Sequence, residues 1–414
     1  IENGIVQLQN ATRYGVKDHI KSLPRRVRLV NVLAELDQPG EWYFDRDLKR
    51  LFLWPIPGSD PTRASLTIPG GKPLISLQGT SHHTFQNLTL ENTGDEALQI
   101  RNGRHNLIAG CTIRNGLRRG LTISGGFANG ITGCDFHDLH QAFSLSGGDF
   151  RTLERCYHFA TNNRIHDCRL RGYGMIGLSG VGIYFAHNLL HDMNGAISFN
   201  TTDLLMECNE FYNIGYEMGD FNVAYCGAQW HSMHNVLRYN FVHHILEPGG
   251  HPVCPFRNDD GGAGLKIFGN VFYRAGRCAA QFHGPANTLQ NNISLKAPVF
   301  WWTLKRPITP EAIREEWDAL ARFGHDLPQG DKGDFKFNLA RKIGKEAWLK
   351  YPWIEQYPEV AAFIKTDPFA QTFCHIEQNY ATPTREPFHI HGGDGTVEGM
   401  EDQRTGKFAD LPAE

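Results

Sequence analysis

A recurring asparagine or cysteine is the feature that most restricts how this chain can fold. Each occurrence begins a short segment in which apolar and polar residues alternate before a polar turn, and the starts follow at steps of 21 to 31 residues. A repeat with a nearly fixed period is the signature of a solenoid, in which each coil packs only on its neighbours. The repeated positions are Cys111, Cys134, Asn163, Asn188, Asn209, Asn240, Asn270 and Asn292.

The length of the step indicates which solenoid this is. A base step of 21 to 25 residues with insertions fits one coil of a parallel β-helix, and the Leu-x-x-Leu-x-Leu pattern of a leucine-rich solenoid is absent. Stacked asparagine side chains can bond the coils above and below, which explains the column without invoking function. We therefore predict an all-β fold with a parallel β-helix at its centre. A single elongated domain of this length is plausible, because each coil packs only on its neighbours and no single compact core has to be built.

The repeat also predicts the domain organisation. Residues 1–73 lack it, and a strand–turn–strand pattern over 40–55 predicts a small β subdomain that caps the open end of the solenoid. The β-helix proper is predicted over 74–303, and the pattern returns at 367–391 before an irregular tail over 392–414. Between them, 304–366 is predicted to be a largely helical insertion, because Thr309–Leu320 combines an N-cap candidate, proline at the first helical position and an acidic first turn.

Two further residue types recur with the coil. His137, His166, His191 and His243 lie three positions after the asparagine column, where Tyr212 and Tyr273 also fall. A structural ladder on the outside is the preferred interpretation, with metal ligation as the weaker alternative. The nine cysteines include no Cys-x-x-Cys pair. We expect Cys111 and Cys134 to fill the interior of adjacent coils, and a disulfide stays open.

Composition and motifs exclude several classes of protein. The formal net charge of −3 gives no indication of a nucleic-acid partner, and no apolar run approaches the 18 residues of a membrane span. There is no glycine-rich phosphate loop and no clustered zinc spacing, so we predict neither a cofactor nor a metal. The oligomeric state is not predicted.

The two longest steps within the regular repeat are adjacent, and both contain carboxylates. One carries Glu217 and Asp220 shortly before a strand, and the other carries Asp259 and Asp260 directly after one. Adjacent coils lie about 4.8 Å apart, so two such carboxylates can face one cleft. Hydrolysis of a glycosidic bond needs such a pair, and mutual repulsion raises one pKa, which suits the acid. The competing interpretation is a turn, because Asp-Gly is a strong turn signal.

At these positions the sequence resembles the right-handed parallel β-helix proteins of glycoside hydrolase family 141, which includes α-L-fucosidase and xylanase activities. The resemblance touches most of residues 25–385. Its central part is carried by four segments: Glu217-Met-Gly-Asp220-Phe-Asn-Val-Ala-Tyr225-Cys-Gly-Ala-Gln229, Asn235-Val-Leu-Arg-Tyr-Asn-Phe-Val-His-His-Ile245, Phe256-Arg-Asn-Asp259-Asp260-Gly261 and Gly269-Asn-Val-Phe-Tyr273. Toward the two ends, Gly40-Glu-Trp-Tyr-Phe-Asp45 and Gln356-Tyr-Pro-Glu-Val-Ala361 also resemble the family.

The resemblance implies specific roles. Asp220 and Asp260 would be the catalytic carboxylates, with Asp260 as general acid, Asp220 as base or nucleophile, and Asp259 as contender for the second position. The resemblance also implies a carbohydrate substrate and a secreted or periplasmic location. The chain begins at Ile1, and we expect a processed fragment or a shorter relative. The residues expected to line the cleft or bind substrate are Glu217, Tyr225, Trp230, His231, Arg257, Asp259 and His283.

The sequence departs from the family pattern at several of these positions. Gly219 replaces an aspartate, Ala228 and Gln229 replace an Arg-Asp pair, and Arg257 and Asn258 replace Tyr-Leu. These changes imply that a different sugar is bound or that the site has decayed.

Two other functions stay open from the sequence alone. A polysaccharide lyase would need a base and a group that neutralises a uronate, and Arg257, His231 and Tyr225 are candidates. A non-catalytic glycan-binding β-helix would bind sugar without turnover. We predict a glycoside hydrolase acting on a complex, plant-type polysaccharide or its oligosaccharides.

Overall fold

The computed structural model divides the chain into two compact units, 1–68 and 69–414. It describes residues 30–63, 65, 67–168, 176–216, 222–227, 231–247, 253–259, 261–297, 299–304, 350, 352–363, 374–381 and 388–391.

The first unit contains the predicted hairpin. Strands β1 (Trp42–Asp45) and β2 (Arg50–Leu53) pair antiparallel, after a 3₁₀ turn at Leu33–Glu35. The Asn31 side chain bonds both backbone groups of Phe44, accepting from its N–H at 2.8 Å and donating to its carbonyl at 3.0 Å. These bonds hold the segment before the hairpin to its first strand. The proposed capping of the solenoid by this unit stays a prediction.

The second unit is a parallel β-helix, as predicted. One sheet, here called sheet A, contains one short strand from each coil, and every neighbouring pair in it is parallel. Its strands are β4 (Thr84–Gln86), β7 (Leu107–Ala109), β9 (Gly130–Thr132), β11 (Phe159–Thr161), β14 (Tyr184–Ala186), β17 (Leu205–Glu207), β20 (Asn235–Arg238), β23 (Leu265–Phe268), β26 (Thr288–Gln290) and β29 (His375–Glu377).

Sheet B follows the asparagine column in each coil. Its strands are β5 (Thr89–Thr93), β8 (Thr112–Ser124), β10 (Asp135–Gly147), β12 (Arg164–His166), β15 (Leu189–Met193), β18 (Glu210–Ile214), β21 (Phe241–His243), β24 (Val271–Tyr273), β27 (Ile293–Leu295) and β30 (Tyr380–Ala381).

Sheet C comes later in each coil and carries the candidate site. The long strands β8 and β10 run through both sheets, because their second halves pair in sheet C. The other strands of sheet C are β3 (Ile75–Gln78), β6 (Leu98–Arg101), β13 (Ile176–Val181), β16 (Ile197–Thr202), β19 (Ala224–Gly227), β22 (Phe256–Asp259), β25 (Cys278–Phe282), β28 (Val299–Leu304) and β31 (Phe388–His391).

The asparagine column is a buried hydrogen-bond ladder, which confirms its structural interpretation. The Asn209 side-chain N–H donates to Asn240 Oδ1 at 2.9 Å and to the Phe185 carbonyl at 3.1 Å. Its Oδ1 accepts from the backbone and side-chain N–H groups of Asn188 at 2.9 and 3.0 Å. The same contacts repeat along the column to Asn379, so each coil satisfies the polar groups of the next.

The predicted histidine column is likewise a ladder of stacked rings. Centroids from His137 through His166, His191 and Tyr212 to His243 lie 4.7–5.1 Å apart, with interplanar angles of 2–15°. In the described part of the chain, no group of three His, Cys, Asp or Glu residues is arranged to hold a metal ion.

The cysteines fall into two classes. Cys111 and Cys134 are buried free thiols on adjacent coils, as expected for interior fillers. Burial raises the pKa of Cys134 to about 11, which keeps this thiol protonated and unreactive. Cys254 and Cys278 form a disulfide that the spacing alone did not identify.

The largely helical insertion predicted over 304–366 is not supported. Its described residues contain two four-residue helices, α1 (Trp353–Gln356) and α2 (Val360–Phe363), with Pro352 and Pro358 just before and between them. Proline lacks the N–H that would continue a helix, so longer helices are interrupted here. The predicted helix Thr309–Leu320 and the tail 392–414 lie outside the described residues.

The solenoid resumes after this segment, because β29, β30 and β31 pair with β26, β27 and β28. No helix in the described ranges has the length and apolar character needed to cross a bilayer.

Candidate functional site

Register in sheet C brings several of the predicted site residues side by side. Arg257 on β22 pairs with Tyr225 on β19 and with Gln281 on β25, and Asp259 pairs with Gly227. His283 comes directly after β25. Because side chains alternate along a strand, Arg257 and Asp259 face outward, opposite to the core residue Phe256.

Asp259 is the centre of this cluster. Its Oδ2 accepts from Arg257 Nη2 at 2.7 Å and from the Tyr225 hydroxyl at 3.5 Å, and its Oδ1 accepts from His283 Nδ1. The residue is only 6% exposed, although it points away from the core. A buried carboxylate is tolerated when it is paired and hydrogen bonded, and here the guanidinium and the imidazole provide both.

His283 is held from both sides of its ring. Nδ1 faces Asp259, and Nε2 lies 2.9 Å from the side-chain nitrogen of Gln281. If Nδ1–H donates to the carboxylate, Nε2 carries the lone pair that accepts from the Gln281 amide. Both residues are buried, His283 at 1% and Gln281 at 3% exposure. Asp259 and Gln281 therefore determine the tautomer and the orientation of this imidazole.

Tyr225 and Arg257 form the more open side of the cluster. The Arg257 guanidinium lies 5.9 Å from the centre of the Tyr225 ring, within the range of a cation–π contact. Gly227 leaves the space they use, because a Cβ at this position would lie 2.8 Å from the Tyr225 hydroxyl and 3.1 Å from Asp259 Cβ. The aromatic ring and the phenol are suited to packing against and bonding a sugar.

His231 belongs to a neighbouring group rather than to the Asp259 cluster. Its Nε2 lies 2.5 Å from Asn200 Oδ1, its ring packs edge-on against Phe150 at 4.7 Å, and its carbonyl accepts from the Thr202 hydroxyl. Asn200 lies on β16, beside β19, so His231 is one strand away from Tyr225 along sheet C.

The segment that carries α1 packs against this second group. The Trp353 indole N–H donates to the Phe150 carbonyl at 2.6 Å, and the Tyr357 hydroxyl donates to Asp203 at 3.0 Å. Trp353 and Tyr357 are fully buried. Burial, followed by the nearby Asp203 carboxylate, raises the pKa of Tyr357, so the phenol stays protonated and can donate. The hydrogen bond from Trp353 thus holds the backbone of Phe150, whose ring contacts His231.

The two predicted catalytic carboxylates lie outside the described residues. Asp220 belongs to 217–221, which precedes β19, and Asp260 directly follows β22. Glu217 and Trp230 also lie outside the described residues. The described cluster therefore gathers Tyr225, Arg257, Asp259 and His283 of the predicted residues, with His231 one strand away.

Sequence reasoning missed three parts of this arrangement. Gln281 stands two positions before His283, so the alternation of a strand could have placed both on one face. Cys254 and Cys278 are 24 residues apart, as are the register partners Arg257 and Gln281, so the length of this coil could have indicated the disulfide. The packing of Trp353 on Phe150 joins residues 203 positions apart and has no local signal.

The cluster has consequences for the chemistry considered from sequence. Arg257 is engaged by a carboxylate, which reduces its value as the group that would neutralise a uronate in a lyase. Asp259 is stabilised in its charged form by Arg257 and His283, so it is poorly suited to donate a proton. What the cluster offers is an oriented imidazole, a phenol, an amide and an aromatic ring on one surface.

Comparison with known proteins supports the fold. A family model described as "Right handed beta helix region" matches residues 73–172. A solved structure named "Glycoside hydrolase" is similar with a TM-score of 0.52 and 19% identity, over 63% of this chain and 57% of that chain. The chain thus spans little more than half of that structure, and at this identity the likeness concerns the fold alone. No curated protein matches the sequence.

Proposed function

We propose that this protein is a glycoside hydrolase whose active site lies on the outward face of sheet C around Asp259. The observation that best supports this proposal is the buried Asp259 carboxylate, which Arg257 and His283 bind. It lies on the outward face of sheet C, where core packing does not require a charged residue. In earlier coils the positions equivalent to Asp259 hold the small polar residues Ser146 and Ser179. Farther along the same column an ionisable residue also occurs at Arg101, but it is exposed, whereas Asp259 is buried.

Hydrolysis in this proposal uses Asp260 as general acid and Asp220 as base or nucleophile, and the roles are exchangeable. Both positions adjoin the strands that carry the cluster, one before β19 and one after β22. Asp259 is assigned a different task, because a carboxylate committed to a guanidinium and an imidazole orients its partners rather than transferring a proton. This assignment separates Asp259 from Asp260, which the sequence left as contenders.

The substrate is proposed to be a complex polysaccharide or its oligosaccharides, with α-L-fucosidase- or xylanase-like specificity. Tyr225 provides the aromatic surface on which a sugar ring can pack, and Gln281 and His283 provide hydrogen-bonding groups for hydroxyls. A secreted or periplasmic location is proposed as well. The Cys254–Cys278 disulfide supports it, because such bonds persist in oxidising compartments.

A product-resolved substrate screen tests the proposal. Purified protein is incubated with a panel of aryl glycosides and plant polysaccharides, and both new reducing ends and ultraviolet absorbance are recorded. A hydrolase releases reducing ends without an absorbing product. Unsaturated, absorbing products would identify a lyase instead, and saturable binding without any product would identify a glycan-binding protein.

A further inference from the structure

The disulfide joins the segment just before β22 to the first residue of β25, and these strands carry Arg257, Asp259 and Gln281. Cys254 lies two positions before Phe256, and Cys278 lies two positions before Ala280, while Phe256 and Ala280 are register partners in β22 and β25. The two cysteines therefore occupy equivalent positions on adjacent coils, with their Cα atoms 5.1 Å apart. Both are fully buried.

The paired residues of the cluster have the same sequence separation as the two cysteines. Arg257 pairs with Gln281, and Asp259 bonds His283, so each contact joins residues 24 positions apart, as the disulfide does. A change of register between β22 and β25 would separate both pairs at once. The disulfide is a covalent bond between the two segments, and such a bond opposes this change of register.

Main-chain pairing holds this register over a short stretch. β22 and β25 share three register pairs, a number similar to that of other neighbouring strands, such as β16 and β19 with two. Parallel pairing is slightly weaker per residue than antiparallel pairing. A slip by two residues would keep the inward and outward faces unchanged, so the alternation of side chains does not oppose it. Such a slip would nevertheless move Asp259 past His283.

Burial of cysteines on adjacent coils does not by itself produce a disulfide in this protein. Cys111 and Cys134 also lie on neighbouring coils with an offset of 23 residues, and their thiols stay free. Cys111 and Cys134 belong to coils well before those that carry the Asp259 cluster. The cross-link is thus specific to the strand pair that holds the candidate site.

We propose that the Cys254–Cys278 disulfide is a positioning element of the site, which fixes the register of β22 against β25 and so holds Asp259 on His283 and Arg257 beside Gln281. The link between disulfide and cluster stands on geometry alone. Its consequence for turnover rests on the proposed function.

The test compares two double variants. Cys254→Ala/Cys278→Ala removes the cross-link, and Cys111→Ala/Cys134→Ala removes a matched pair of buried thiols elsewhere. Nitrogen-15-labelled histidine reports the Nδ1 proton of His283, which is assigned by its disappearance in His283→Gln. Circular dichroism establishes that each variant is folded, and kcat and KM are measured on a glycan that responds in the screen.

We expect the first variant to stay folded, to lose or broaden the His283 Nδ1 proton signal and to lose about 10- to 100-fold in kcat/KM, because small misplacements of site groups have effects of this size. The second variant should match the wild type in both measurements. An unchanged His283 signal in folded Cys254→Ala/Cys278→Ala would overturn the proposal. Absence of turnover on every glycan would contradict the proposed function and leave the spectroscopic test intact.

If the first variant does not fold, the wild type is reduced instead. Dithiothreitol transfers two electrons and two protons to the disulfide, which yields two thiols and the cyclic disulfide of the reagent. Amide exchange should then rise in peptides covering 253–259 and 278–283, relative to peptides covering 176–181 and 197–202. Equal exchange before and after complete reduction would overturn the proposal.

Discussion

Asp259 and His283 lie on neighbouring coils, and the carboxylate Oδ1 accepts a hydrogen bond from the imidazole Nδ1 while Oδ2 is bound by Arg257 Nη2 at 2.7 Å. Asp259→Asn should destabilise the protein by about 3 kcal/mol, because it removes a charged partner of the mostly buried Arg257 guanidinium. Urea unfolding measures the change. The double variant Asp259→Asn/Arg257→Met should be less destabilised than Asp259→Asn. A double variant that is more destabilised would contradict this account of the pair.

Gly227 creates the space in which the Tyr225 hydroxyl approaches Asp259. Gly227→Ala should displace Tyr225, since the new Cβ would lie 2.8 Å from its hydroxyl. On a responsive glycan, we expect KM to rise by about 10-fold if Tyr225 packs on the sugar, in line with the 1–3 kcal/mol of one apolar contact. Gly177→Ala is the matched control, because a Cβ there meets Ser144 Cβ at an ordinary 3.4 Å. Equal KM values for both variants would remove Tyr225 from the binding surface.

The asparagine ladder should contribute to stability one coil at a time. Asn209→Ala removes an amide that bonds Asn188, Asn240 and the Phe185 carbonyl, and leaves buried polar groups without partners. We expect a loss of about 3 kcal/mol, from two or more unsatisfied groups at 1–3 kcal/mol each. Ser198→Ala, on the outward face of sheet C, should change stability by less than about 0.5 kcal/mol. Similar losses in the two variants would show that the ladder is not a special source of stability.

His158 should make the β-helix sensitive to mild acid. Its Nδ1 accepts from the Asn129 backbone N–H at 3.1 Å, its Nε2 faces the Gly125 carbonyl at 3.2 Å, and burial lowers the pKa of this histidine to about 4. The unfolded chain takes up the proton first, near pH 6.5, so this part of the stability is complete above pH 6.5 and is lost as the pH falls towards about 4. The loss is on the order of 3 kcal/mol.

The matched variant for this prediction is His158→Asn. Asparagine continues the pattern by which Asn129 Oδ1 accepts from Asn106, so it can replace the acceptor without a group that titrates in this range. Thermal unfolding between pH 4 and 8 should show a shallower pH dependence for His158→Asn than for the wild type. Parallel curves would indicate that other groups cause the acid sensitivity.

Much of the fold could be predicted because its signals are local and repeated. The column from Asn163 to Asn292 and the rings from His137 to His243 recur once per coil, and stacking of equal residues needs no knowledge of distant segments. The helical insertion over 304–366 was predicted from cap and propensity signals such as those at Thr309–Leu320, and such local signals are a weak guide where tertiary context decides the structure.

The candidate site could be predicted only in part. Arg257, Asp259 and His283 were identified as substrate-binding candidates, but their mutual bonding depends on the register of β22 and β25, which no single segment encodes. The contact of Trp353 with Phe150 arises from tertiary packing of residues 203 positions apart. The disulfide was missed because nine cysteines allow many pairings, and coil length fits Cys111 with Cys134 as well as Cys254 with Cys278.

We propose that the carboxylates of Asp220 and Asp260 hydrolyse a glycosidic bond. The most direct measurement is kcat for wild type, Asp220→Asn and Asp260→Asn on the glycan that responds in the screen, with Asp138→Asn of the histidine ladder as control. We predict that each site variant loses about 10²- to 10⁴-fold in kcat, as expected when an acid or base is removed, while the control retains wild-type turnover. Wild-type turnover in either Asp220→Asn or Asp260→Asn would contradict the account.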